Sequence, residues 1–137
     1  TKVGAMFGEA VVFTHGNMPK NFVTLVKQHG ALLAKGWLLG VQFDTLFTDD
    51  LYCRIARHAN DAADRIREVL VERGYTLTFD APTNQIFITL DNATSERLQR
   101  NVRLGFMEKA DDTHTVMRIC TSWATTDEQV EQLIALL

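Results

Sequence analysis

The sequence predicts an α+β fold in which helices pack against a small antiparallel sheet. Three observations predict it. Apolar residues recur at helical spacing from Asp50 to Arg73. Two short β-prone runs, Tyr75–Phe79 and Gln85–Leu90, follow with only a turn-rich loop between them. From Thr94 onward the pattern repeats as a helix, two strands and a final helix. That order puts helices over one face of a sheet whose sequential strands run antiparallel.

The elements follow in chain order. Ala10–Phe13 is a continuous apolar run, as expected of a strand buried on both faces. Such a strand needs neighbours on both sides, and the residues after it look unable to supply them. The chain also opens on Thr1 rather than Met, so its start is expected to be cut from something larger. His15-Gly16-Asn17-Met18-Pro19 has turn chemistry, with Pro19 placed to open a helix. Lys20–Gln28 carries Phe22, Leu25 and Val26 at helical spacing, and Gly30 interrupts it. Ala31–Gly40 is apolar almost all round, which fits either a helix packed against other protein or a plain core helix. A boundary is expected between Leu39 and Thr48, dividing the chain into residues 1–45 and 46–137.

The strongest helix runs from Asp50 to Arg73, with Asp49 or Asp50 as its cap and Gly74 as its left-handed stop. Leu51, Ile55, Ala59, Ala62, Ile66, Val69 and Leu70 form its apolar stripe, and Asp61 and Arg65 form an i,i+4 pair on its polar side. Tyr75–Phe79 alternates strictly, as a half-buried strand does. A helix from Thr94 to Leu104 turns Leu98 and Val102 inward and is expected to close on Gly105. Phe106–Lys109 and Thr115–Thr121 read as strands about a turn at Asp111-Asp112, and Thr125 with Glu128 reads as the capping box of the last helix.

Composition excludes several classes. With 46% hydrophobic and 23% charged residues the chain is an ordinary folding sequence, and a net charge of -3 gives no reason to expect a nucleic-acid partner. Arg97, Arg100 and Arg103 read as a solvated helix face. No apolar run is long enough to cross a membrane and no signal-peptide pattern appears, so a cytoplasmic location is expected. Cys53 and Cys120 lack metal-ligand spacing and read as buried reduced thiols. His15, His29, His58 and His114 show no spacing that makes a metal site or a triad, and no metal is expected.

Two residues stand out chemically. Lys2 precedes the apolar run, where desolvation would lower its pKa and favour Schiff-base chemistry. Arg118 sits in Val116-Met117-Arg118-Ile119-Cys120, the middle of an apolar strand. Arginine is seldom buried there without a partner. Either an ion pair with a nearby Asp or Glu holds it, or its planar fork is aimed at a substrate carboxylate.

The segments carrying these residues resemble a known family. Thr1–Phe13 resembles the segment of low-specificity threonine aldolases, within the β-eliminating lyase group, that follows paired glycines. Lys27–Gly36 resembles a helix of that family that begins with a basic residue and Gln, Pro82–Phe87 its small-domain strand entry, and Met117–Thr125 the strand bearing its carboxylate-binding arginine. The resemblance implies a fold type I enzyme using pyridoxal 5'-phosphate, with residues 1–45 ending its large domain and residues 46–137 forming its small domain. It implies that Lys2 holds the cofactor covalently, that Lys27 lies near the active site, facing a neighbouring subunit's cofactor phosphate, and that Arg118 binds the α-carboxylate of an amino-acid substrate. It implies cleavage of L-threonine or L-allo-threonine to glycine and an aldehyde by a homotetramer. It places the chain from the cofactor lysine to the C-terminus, so that the chain alone is expected to be inactive. A β-eliminating lyase or aminotransferase of the same fold, or a non-catalytic α+β binding or dimerisation module, remain alternatives.

Overall fold

The computed structural model describes residues 3–137, so Lys2 lies outside the described residues. The chain forms two compact units, the first ending at Tyr52 and the second running from Cys53 to Leu137.

The first unit holds two helices, α1 (Phe22–Gln28) and α2 (Trp37–Phe47). Gly30, at φ 67, ends α1: its N–H reaches the Lys27 carbonyl at 3.0 Å and the Ala31 N–H reaches that of Val26 at 2.9 Å. This paired closure turns the chain out of the helix. Residues 31–36 therefore form turns and irregular backbone, and the helix expected over 31–40 begins only at Trp37. The strand expected at Ala10–Phe13 is not formed either. No strand occurs among the described residues before Thr76, so the run has no ladder to join, and Val11 and Val12 are exposed. What anchors the opening segment is polar: the N–H groups of Met6 and Phe7 both donate to Oε1 of Gln42 on α2.

The second unit matches the predicted fold class. It contains α3 (Leu51–Glu72, whose first two residues belong to the first unit), β1 (Thr76–Leu77), β2 (Gln85–Asp91), α4 (Asn92–Gln99), β3 (Gly105–Lys109), β4 (His114–Cys120) and α5 (Asp127–Leu136). All pairings are antiparallel, in the order β1-β2-β4-β3. Helix α3 forms because its apolar residues recur every three or four positions, and Ala62, Ala63, Ile66 and Leu70 bury that stripe against Ile86, Ile88 and Leu90 of β2 and Met117 and Ile119 of β4. Each large side chain so buried contributes about 1.5–3 kcal/mol. Gly74, at φ 78, closes α3, with the Tyr75 N–H on the Leu70 carbonyl at 2.9 Å.

Several local expectations shift. Asp49 and Asp50 adopt φ of 50 and 55, a left-handed turn ahead of α3 in place of an extended cap residue. Arg65 does not pair with Asp61; its guanidinium reaches Asp127 at 2.7 Å and also Glu131, both on α5. Helix α4 starts earlier than expected because Asp91 caps it, accepting the Thr94 N–H at 2.9 Å. Gly105 does not stop that helix but opens β3 opposite Arg118. The capping box of α5 is Thr126 with Gln129, one residue later than Thr125 with Glu128. Thr125 is already engaged: its hydroxyl accepts the Ser122 N–H at 2.8 Å, and its carbonyl accepts a 2.7 Å bond from Nε2 of His58. Arg97 is more than a solvated face residue, since it donates to the Leu136 carbonyl at 2.8 Å and to the Tyr75 hydroxyl at 3.1 Å. Both cysteines are exposed, not buried; Cys120 lies on the sheet face opposite the core.

Candidate functional site

The site follows from strand parity. Successive side chains of a strand point to opposite faces, and Met117 and Ile119 point into the helix-covered core, so Arg118 projects from the other face. The same parity on β2 places Gln85 and Phe87 beside it, because Ile86 and Ile88 are core residues. Arg118 is flanked across the ladder by Phe87 on one side and by Gly105 on the other. Phe87 stacks on Phe79 with ring centroids 4.5 Å apart, giving that face an apolar wall.

Arg118 is half-buried, and the residues paired with it across the ladder, Phe87 and Gly105, are neutral. Its Nη1 donates to Oε1 of Gln85 at 3.2 Å. Its Nε is buried and has no hydrogen-bond partner. Among the described residues no carboxylate forms an ion pair with it, which removes the Asp or Glu partner that the sequence left open. A recess of about 280 Å³ opens beside the guanidinium, lined by Arg103, Leu104, Gly105, Arg118 and Cys120. A half-buried guanidinium with an unsatisfied donor and no counter-charge is costly unless an anion joins it. A carboxylate can take two parallel N–H bonds from such a fork. Gln85 and Gly105 were not legible as site residues: one read as the start of a strand, the other as the stop of a helix.

The other predicted residue in the described range, Lys27, is exposed in the last turn of α1, in the first unit, where a cation also complements the helix dipole. It forms no ion pair among the described residues. Arg118 belongs to the second unit.

A larger recess of about 640 Å³ lies at the far end of the sheet, bordered by Arg73, Tyr75, Asp91, Asp111, His114 and Leu137. Its acids have structural duties. Asp91 caps α4, and the Thr94 N–H holds its carboxyl below the usual range. Asp111 closes the β3–β4 turn, and the N–H and hydroxyl of Thr113, with His114, lower its pKa to about 2. Among the described residues no group of three or more His, Cys, Asp or Glu side chains could hold a metal ion, and no helix is long and apolar enough to cross a membrane.

No protein-family profile matches the chain. It is similar to the low specificity L-threonine aldolase of Pseudomonas aeruginosa, 29% identical over 97% of the chain, and to that of a Pseudomonas species, 29% identical over 98%. The chain spans 38% of the length of each of these curated relatives. Among solved structures it is similar to a Leishmania major threonine aldolase, with a TM-score of 0.82 and 35% identity over 86% of this chain and 34% of that one. The homologues of the chain are therefore low-specificity L-threonine aldolases, and the α+β fold agrees with the fold type I reading.

Proposed function

We propose that the chain carries the substrate-carboxylate seat of a pyridoxal-phosphate-dependent threonine aldolase, an enzyme that cleaves L-threonine or L-allo-threonine to glycine and an aldehyde. The observation that carries this reading is Arg118: a guanidinium on the open sheet face, beside a recess, with a buried unpartnered Nε and no acidic neighbour paired to it. The similarity to threonine aldolases supports the reaction class.

The cofactor is judged against the same observations. The cationic seat at Arg118 fits a reaction on an amino acid, and Lys27, exposed and outside any ion pair among the described residues, fits a role at a phosphate. When bound, pyridoxal phosphate supplies an electron-withdrawing ring that takes up the electron pair released as the Cα–Cβ bond breaks. Lys2 is the residue that would hold the cofactor through its amine, on the strength of the resemblance of Thr1–Phe13. Arg118 grips the α-carboxylate by two N–H bonds, which fixes rotation of the substrate and so decides which bond at Cα is presented for cleavage. Phe79 and Phe87 keep one side of that face apolar, which strengthens the charge-assisted bonds.

A homotetramer and a cytoplasmic location belong to the same proposal. The first unit supports the first of these: no described residue before Ala59 is fully buried, while Met6, Val12, Trp37 and Phe47 are exposed at 80%, 77%, 65% and 65%. Apolar side chains in that number are expected to meet other protein.

The test is product analysis in the longest polypeptide of the source that carries this chain. With the cofactor and L-threonine added, glycine and acetaldehyde are the expected products. A 2-oxo acid and ammonia would move the assignment to β-elimination, and no turnover with any β-hydroxy amino acid would remove it.

A further inference from the structure

We propose that Gln85 is a positioning residue for Arg118 and that the absent side chain at Gly105 leaves room beside Nε of its guanidinium, so that Arg118 takes a carboxylate side-on through Nε and Nη2. The proposal rests on the carboxylate-binding reading of Arg118 and deepens it.

A guanidinium offers two forked edges, one between Nη1 and Nη2 and one between Nε and Nη2. Oε1 of Gln85 occupies Nη1. Gln85 reaches it as a diagonal neighbour, because it pairs with Cys120 while Phe87 pairs with Arg118. An anion arriving at the Nη1 edge has to displace that amide. The Nε edge has no such occupant, and Nε is the buried donor without a partner.

Gly105 leaves space beside that edge. It pairs with Arg118 on β3, and a methyl group there would stand 3.5 Å from Nε and 3.6 Å from Cβ of Arg118. Its backbone is not among the glycines held at positive φ, so no turn demands a glycine here. What the missing side chain supplies is room along the guanidinium, and the recess lined by Gly105 and Arg118 runs there. Nε itself is buried, so a carboxylate has to enter the space over Gly105 to meet it.

The experiment follows the Nε–H resonance of Arg118 by NMR in arginine-labelled protein, using the longest polypeptide of the source that carries this chain, with glycine as the carboxylate probe. The resonance is assigned by its loss in Arg118→Lys. In the unsubstituted protein, glycine should shift it saturably. In Gln85→Met, which keeps the size of the side chain but removes the acceptor, half-saturation should need about tenfold more glycine, the share of one hydrogen bond to a charged group. In Gly105→Ala, whose methyl group meets only ordinary van der Waals distances, the shift of Nε–H should be lost while the fold persists. This second variant keeps the test decisive if Gln85→Met does not fold. Unchanged titrations in both variants would overturn the positioning proposal and leave Arg118 as a carboxylate binder. No response of Arg118 to glycine in the unsubstituted protein would overturn the carboxylate reading itself.

Discussion

Oγ1 of Thr121 donates a 2.6 Å hydrogen bond to the carbonyl oxygen of Ala59, tying the end of β4 to the middle of α3. The same residue closes the strand pair below Arg118: its N–H reaches the Asn84 carbonyl at 3.1 Å, and Nδ2 of Asn84 reaches its carbonyl at 2.7 Å. Thr121 is buried, so no water replaces these bonds easily. Gln85 follows Asn84 directly, and Arg118 lies three residues before Thr121, so this junction holds both ends of their contact. Thr121→Val keeps the shape and removes the hydroxyl. It should lower the stability of the protein by about 1–2 kcal/mol, read as a lower denaturant midpoint with an unchanged slope.

A second junction holds the last helix. The carbonyls at the end of α5 have no partners within the helix, and side chains from elsewhere meet them. Arg73 donates to Ile134 at 2.7 Å, Arg97 to Leu136 at 2.8 Å, and the Tyr75 hydroxyl to Leu137 at 2.6 Å. These arginine contacts are exposed. Arg97→Ala should therefore cost no more than about 1 kcal/mol, yet it should speed amide exchange in the last turn of α5 while leaving the centre of α3 protected.

Asp111 gives a pH signature. Its pKa, lowered to about 2 from 3.8 chiefly by the Thr113 N–H, means that the folded state favours the carboxylate. A carboxyl depressed in this way contributes stability above its unfolded pKa and loses it as pH falls towards the folded value. The contribution is therefore full above 3.8 and disappears between 3.8 and about 2. Asp111→Asn should flatten the acid limb of the stability curve in that window and leave neutral pH behaviour nearly unchanged. An equally steep acid limb in the variant would show that other carboxyls set it.

Arg118→Lys keeps the charge but loses the fork, so it separates charge from geometry. In the active polypeptide it should raise the KM for L-threonine about 10- to 100-fold, the equivalent of losing one charge-assisted bond of about 1.5–3 kcal/mol. A KM unaffected by this change would place the carboxylate elsewhere.

Legibility in the sequence followed the range of the forces involved. Helix α3 and its Gly74 stop were readable because periodicity and a left-handed cap are local. The Ala10–Phe13 run reads as a strand yet has no ladder among the described residues, since a strand exists only through its neighbours. Thr125 and Thr126 each precede a capping partner by three residues, Glu128 and Gln129, and the choice fell to the tertiary bonds that Ser122 and His58 make with Thr125. Gly105 has the local signature of a helix stop, but the register of β3 against β4 sets it across from Arg118. Arg118 itself was visible as a charge in an apolar strand. The lack of a paired carboxylate among the described residues was not, because it depends on which residues β2 and β3 bring alongside.

The central claim is that this chain works as part of a pyridoxal-phosphate enzyme in which Lys2 holds the cofactor and Arg118 the substrate carboxylate. The most direct measurement adds pyridoxal phosphate to the longest polypeptide of the source that carries this chain, reduces with borohydride, digests, and locates the pyridoxyl mass. The account predicts the label on the peptide containing Lys2. A label on another lysine, or no label at all, would contradict it.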